Sequence, residues 1–442
     1  MVQPERLDDA PTVGAIPDEG HPLDVFRHYR LPRWALVHHP FVDRSIEDVE
    51  AAVEAAFLTM PGAIGAGQRV CLAVGSRGID RVADVTRAAV SSVRARGAEP
   101  FVVPAMGSHG GATAEGQLEV LASLGVTEAS AGCEIRSSME TVHLGEVGGI
   151  PVFLDRHASE ADAIVPINRV KPHTDFSGPV ESGLSKMIAI GLGKQKGADT
   201  FHGRGFATFA ELIPAVARHI LSLAPIPFGL ALVEDGNARL ARIEAIPAAS
   251  IDARERELRD EADHLMARLP LEALDVLIID RIGKDISGLG MDSNVVGRYY
   301  TGPTGQPPLI QRIVVRDLTD ETDGNAVGIG MADVILRRVA DRMDPVKTYM
   351  NCITAKTPEG ARISLMVDTD REALDVAIAC CLQVDAGHAR VARILDTKHL
   401  EWFFASEALL EELERDPLSD VAGPPAAIAF DHLGAFVDQL PA

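Results

Sequence analysis

Short apolar runs alternate with amphipathic stretches along most of this chain. Val70-Cys-Leu-Ala-Val-Gly75 is continuously apolar and stops at glycine, as a strand buried on both faces does. Val82 to Ala95 carries the three- and four-residue apolar spacing of an amphipathic helix. Pro100-Phe-Val-Val-Pro104 predicts the next strand, the segment from about Ala114 to Leu124 a helix, and Ala163-Ile-Val-Pro-Ile-Asn168 a further strand. Upstream, Ser45 as a cap, with Asp48 completing a capping-box variant, predicts a helix through Val49-Glu-Ala-Ala-Val-Glu-Ala-Ala56. This strand–loop–helix alternation predicts an α/β fold with a mostly parallel sheet.

The pattern repeats in the second half. Ile251 to Leu271 predicts a long charged helix leading into Leu274-Asp-Val-Leu-Ile-Ile-Asp280, a buried strand. Strands follow at Ile313 to Leu318 and Ala361 to Val367, with helices near Met331 to Asp341 and Leu374 to Leu382. At 442 residues the chain exceeds one ordinary core. We expect a loosely held arm over 1–30, rich in Asp, Pro and Gly, and two α/β domains over 31–272 and 273–442, with the active site in the cleft between them.

Ligands of open α/β sheets sit beyond the carboxyl ends of the strands. Ser76-Arg77-Gly78, Gly107-Ser-His109 and the stretch from Asn168 to His173 each directly follow a predicted strand, so all three belong on one sheet edge. His109 lies among close glycines, which let backbone approach a ligand and present the imidazole outward. His173 follows a proline that holds the chain extended, and an ordinary imidazole suits proton transfer near neutrality. Lys186 enters the apolar, glycine-bearing run Met187 to Gly193, where partial desolvation would make its amine an attachment point. His202 stands sixteen residues further on and is the ligand type suited to nickel and other late metals. Arg77 could clamp a carboxylate or phosphate through two parallel bonds. In the second half, the loop from Gly283 to Asp292, with Lys284 and Asp292, is the best-placed candidate, although no spacing assigns either residue a role.

Charge narrows the partners. The formal net charge of -22 opposes nucleic acid and anionic membrane. Within 164–205 six basic residues (Arg169, Lys171, Lys186, Lys194, Lys196, Arg204) outnumber three acidic ones, so a locally basic patch for an anionic small ligand is expected. The five cysteines (Cys71, Cys133, Cys352, Cys380, Cys381) form no CxxC pair and read as buried thiols of a reducing compartment. No signal peptide and no bilayer-spanning stretch are evident, which points to a cytoplasmic protein. Gly193-Lys194 precedes Gln195 rather than Ser or Thr, so it is no P-loop, and neither HExxH nor GxSxG occurs.

Lys186 with His202, His173 upstream and His109 after a strand resemble the nickel-pincer nucleotide-dependent lactate racemase family, over most of the chain and most clearly over 70–205. The resemblance implies a racemase or epimerase of a small anionic 2-hydroxy acid. Lys186 would carry the nickel-pincer nucleotide covalently and His202 would ligate nickel. His109 and His173 would be the paired acid/base residues. Ser76 and Arg77 would contact cofactor, and Arg77 also substrate. One histidine would take the hydroxyl proton while the C2 hydride moves to the pincer ring, giving a planar 2-keto acid. Separate biosynthetic enzymes would supply the cofactor. Where the best-known members have an acidic residue and Thr-Arg-Pro, this chain has Gly75-Ser-Arg-Gly78, and its His173–Lys186 interval is longer. Two other readings compete: a mononuclear metal hydrolase with His109, His173 and His202 around an activated water, and a non-catalytic binder of an anionic nucleotide.

Overall fold

In the computed structural model, which describes residues 30–76, 78–300 and 302–441, the apolar run after Gln68 becomes the strand Arg69–Val74. Its side chains alternate between two cores. Val70, Leu72 and Val74 enter one, and Cys71 and Ala73 enter the other. Both faces are therefore covered, which explains an unbroken apolar sequence. The strand is the second in a five-stranded sheet of order Glu99–Pro104, Arg69–Val74, Ala163–Arg169, Phe228–Glu234 and Leu240–Pro247. The first four run parallel and the last antiparallel.

Helices Val49–Leu58 and Val82–Ala95 bury Val53, Phe57, Val82, Val85, Ala89 and Val93 on one face, where Phe57 meets Phe228 edge-on at 5.2 Å. The other face is covered by the segment after Gly183 and by helices Phe209–Leu223 and Ile251–Leu265. The first helix starts later than expected. Asp48 rather than Ser45 is its cap, accepting from the Ala51 N–H at 2.9 Å, while the Ser45 N–H donates to Asp43. A hairpin, Thr141–Val147 with Ile150–Asp155, also belongs to this unit.

The chain divides into two compact units, Phe41–Arg268 with Thr354–Lys356, and Leu269–Ile353 and Thr357–Ala442 with the segment up to Pro40. Both are α/β. The second is built on an eight-stranded sheet in which Leu365–Val367, Val334–Leu336, Leu309–Val315, Ala273–Ile279 and Val391–Ile394 run parallel. Trp402–Ser406, Arg33–His38 and Asp420–Ala427 complete it antiparallel. Residues 33–38, expected at the start of the first domain, thus form a strand of the second. Their Trp34 stacks on Phe404 at 4.7 Å. Arg393, only 1 % exposed, grips both oxygens of Asp280 at 2.8 Å. Residues 331–341, expected to be one helix, split into the strand Val334–Leu336 and the helix Arg337–Arg342, because Val334-Ile-Leu336 is buried between flanking strands. The expected arm falls almost wholly outside the described residues.

One sequence expectation needs correction. Phe206–Leu223 is long and apolar enough to cross a membrane by length and composition. In this fold its Phe209, Ile213, Val216, Ala217 and Ile220 form a buried stripe in the sheet-covering core.

Candidate functional site

Because Glu99–Pro104, Arg69–Val74 and Ala163–Arg169 are adjacent and parallel, their following loops emerge at one edge. The expected convergence of the three loops is what the topology produces. The first two are joined directly: the Ser76 hydroxyl lies 2.5 Å from His109 Nδ1. Ser76, proposed from sequence as a cofactor contact, is therefore also the partner that orients the His109 ring. Arg77 lies outside the described residues.

The third strand is tied to the segment bearing Lys186. Asn168, at the strand's end, donates from its side-chain amide to the Gly183 carbonyl at 2.7 Å. Gly183 opens a short helical turn, Leu184–Lys186, that passes into a π-helical turn, Met187–Gly191. Such widened turns recur at functional sites. No side chain of this segment caps its start. Instead Glu255, 1 % exposed on the helix Ile251–Leu265, accepts from the Ser185 N–H at 3.1 Å and from the Ser185 hydroxyl. Burial pushes its carboxyl up to about 7, against the opposing pull of these donors. A methyl group at Gly183 would stand 1.9 Å from Glu255 Oε1, so this cap requires glycine there.

Lys186 Nζ meets His173 Nε2 in a direct hydrogen bond. The opposite ring nitrogen, Nδ1, accepts from the Asp175 backbone N–H at 3.0 Å. A neutral imidazole with Nδ1 accepting carries its proton on Nε2. That proton points at the lysine amine, so the imidazole donates and the neutral amine accepts. Glu181, 3 % exposed, holds the loop by accepting from the His173 N–H at 2.6 Å and the Gly178 N–H at 2.9 Å. Burial raises its carboxyl above the ordinary range.

His202 ends the helix Lys194–His202. Its ring and that of His173 border one aromatic cluster: His173 lies 4.5 Å from Phe176, His202 lies 5.7 Å from both Phe206 and Phe209, and Phe176 packs on Phe209 at 5.5 Å. Burial pulls the His202 imidazole below its ordinary range, and nearby Lys186 acts in the same direction, so it is kept neutral. Its Nδ1 is buried with no hydrogen-bond partner. A neutral imidazole with an unsatisfied nitrogen is fitted to accept a metal or a donor. Lys186, His173 and His202 are thus brought together, and His109 stands on the neighbouring loop beside Ser76.

Two expectations change. Among the described residues no group of three or more His, Cys, Asp or Glu side chains could hold a metal ion. His109, His173 and His202 therefore do not form the three-ligand centre that the hydrolase reading needs. The expected basic patch is also reduced. Lys194 is wholly buried against Asp155, and Arg169 pairs with Glu234. In the second unit, Lys284 donates to Gly288 O at 2.9 Å and Asn351 Oδ1 at 3.0 Å, and Asp292 caps the turn Ser293–Val296. Glu255, Glu181, Gln117 and the burial of Lys194 escaped sequence reasoning. The one available signal was negative: a glutamate among the apolar positions of the 251–265 helix.

No family profile matches this chain, and no curated protein matches its sequence. Among solved structures it is similar to the lactate racemase apoprotein from Thermoanaerobacterium thermosaccharolyticum, at 14% identity and a TM-score of 0.40, over 83% of this chain and 89% of that one.

Proposed function

We propose that this chain is an isomerase that racemises or epimerises a small anionic 2-hydroxy acid, with a nickel-pincer nucleotide held by Lys186 and His202. The observation that carries the reading is the grouping of a lysine amine, a hydrogen-bonded imidazole and a second, neutral imidazole with an orphaned nitrogen beside one aromatic wall. Among the described residues no group of three or more His, Cys, Asp or Glu stands with His202, and a single imidazole suits a metal whose remaining ligands come from an organic cofactor. When bound, that cofactor supplies a hydride acceptor, which an unactivated C2–H requires.

The chain's residues have the complementary tasks. Lys186 is the attachment amine, and the His173 Nε2–H is placed to donate to it, which holds the amine in position. With the lysine acylated, His173 is released to act on the substrate hydroxyl. His109, oriented through Nδ1 by Ser76, would serve the opposite face. Inversion at one carbon needs two such groups. Arg77 would hold the substrate carboxylate. The aromatic cluster excludes water beside the reacting carbon. Cofactor-making enzymes are the implied partners, and a reducing cytoplasm the implied setting, in keeping with five free cysteines.

Intact-mass and nickel analysis of chain co-produced with the cofactor pathway tests this. A nickel-containing adduct that disappears in Lys186→Ala is expected. An unmodified chain, produced beside a successfully loaded lactate racemase, would reject the reading.

A further inference from the structure

Lys194 has no part in the chemistry above, yet its position is costly. Its side chain is wholly buried, and its backbone adopts φ +54, a left-handed conformation. Burying an ammonium is costly, and a left-handed backbone at a non-glycine residue adds to that cost. An apolar side chain would fill the same space without the first cost. What the ammonium adds is direction. Nζ donates to the Pro104 carbonyl at 2.5 Å and to Gln117 Oε1 at 2.9 Å, and it lies 3.2 Å from Asp155 Oδ2. Burial lowers its affinity for the proton and Asp155 restores part of it.

These acceptors lie on three separate elements. Pro104 ends the strand before the His109 loop, Asp155 ends the hairpin strand Ile150–Asp155, and Gln117 sits on the helix Ala114–Ser123. Gln117 is also wholly buried, and its Nε2 donates to the Gly107 carbonyl at 2.9 Å and approaches the His109 carbonyl at 3.4 Å. The Gly107 N–H in turn donates to Gly191 O at 3.1 Å, on the turn that follows Lys186. Lys194 itself is the first residue of the helix that ends at His202.

We propose that Lys194 is a positioning residue that, through Gln117, sets the His109 loop against the segment carrying Lys186 and His202. The inference rests on the reading of His109 as an acid/base group. The clamp acts on the carbonyls on either side of the loop, so it orients the backbone from which the imidazole projects. It touches neither substrate nor cofactor.

Gln117→Glu separates positioning from mere stability. A carboxylate there keeps an acceptor for Lys194 but loses the N–H that holds the Gly107 and His109 carbonyls. Hydrogen exchange on the full chain, without cofactor, should show protection over 105–111 falling by about tenfold or more in Gln117→Glu, with the helix Phe209–Leu223 unchanged. The titration of the His109 imidazole, followed by NMR, should move with it. Lys194→Met should reproduce both effects, and if that variant does not fold, Gln117→Glu decides alone. Wild-type protection over 105–111 in Gln117→Glu would overturn the proposal, as would an equal loss across the whole unit. Neither readout needs cofactor or turnover. If the exchange result holds but cofactor-loaded His109→Ala racemises at the full rate, the racemase reading fails and the clamp stands.

Discussion

Glu255 and Ser185 lie seventy residues apart in sequence, yet the glutamate's buried carboxylate accepts both the backbone N–H and the hydroxyl of the serine next to Lys186. This contact caps the turn that presents the lysine. It also places a titratable group one residue from the proposed attachment point.

Folding raises the Glu255 carboxyl from its ordinary 4.5 to about 7. The folded chain therefore binds this proton more tightly than the unfolded chain. Between those values folding takes up a proton, so this group's contribution is fully present below the lower value and is lost as pH rises to the upper one. The loss amounts to about 3 kcal/mol by linkage. Urea denaturation of wild type and Glu255→Gln across that window should show the wild-type advantage shrinking as pH increases. Parallel curves would show that Glu255 does not titrate there.

Gly183→Ala should be destabilising by about 2 kcal/mol or more, because its methyl group would overlap Glu255 Oε1 at 1.9 Å and force the cap apart. Its backbone is extended, so the cost is steric and not conformational. Glu255→Ala should relieve it: the double variant is expected to lose clearly less than the sum of the two single ones. Additive losses would show that the clash lies elsewhere.

The Lys194–Asp155 pair is wholly buried on both sides. Removing either partner leaves an uncompensated charge, and each single alanine variant should cost about 3–5 kcal/mol. Chemical denaturation of Lys194→Ala, Asp155→Ala and the double variant checks this through a coupling energy of about 2 kcal/mol. A negligible coupling would mean that the two groups act independently.

The two imidazoles near Lys186 should behave differently once the chain is produced with cofactor. His202→Ala should retain the mass adduct but lose nickel, because its buried Nδ1 is the orphan. His173→Ala should keep nickel on whatever adduct forms, yet attach cofactor more slowly and lose racemisation, because its Nε2 faces the lysine amine. Time-resolved intact mass with metal analysis distinguishes them. Unchanged nickel in His202→Ala would remove that residue from the metal site.

Much of the first unit could be read without coordinates. The helix at Val82–Ala95 has the bounds that its periodicity predicts, and the strands at 69–74, 99–104 and 163–169 differ from expectation by a residue or so. Apolar spacing reports burial directly, and all of these elements are packed on a sheet. That His109, His173 and Lys186 lie in loops or turns was legible too, since glycine or proline departs from the periodic pattern at each. The strand at Arg33–His38 was not assigned to its sheet, because its partners begin more than 360 residues away, at Trp402.

By itself, then, the sequence determined the alternation of strand and helix, the parallel arrangement that follows from it, and which strand ends carry reactive side chains. These depend on local backbone preference and on apolar periodicity, both of which are written within a dozen residues. Tertiary structure alone decided that Lys194 is an interior clamp and not part of a basic surface, that Glu255 is inside and caps the Lys186 turn, and that His202 shares an aromatic wall with His173. Each of those outcomes is set by a partner far along the chain, and burial of a charged or polar group is settled only when the fold supplies that partner.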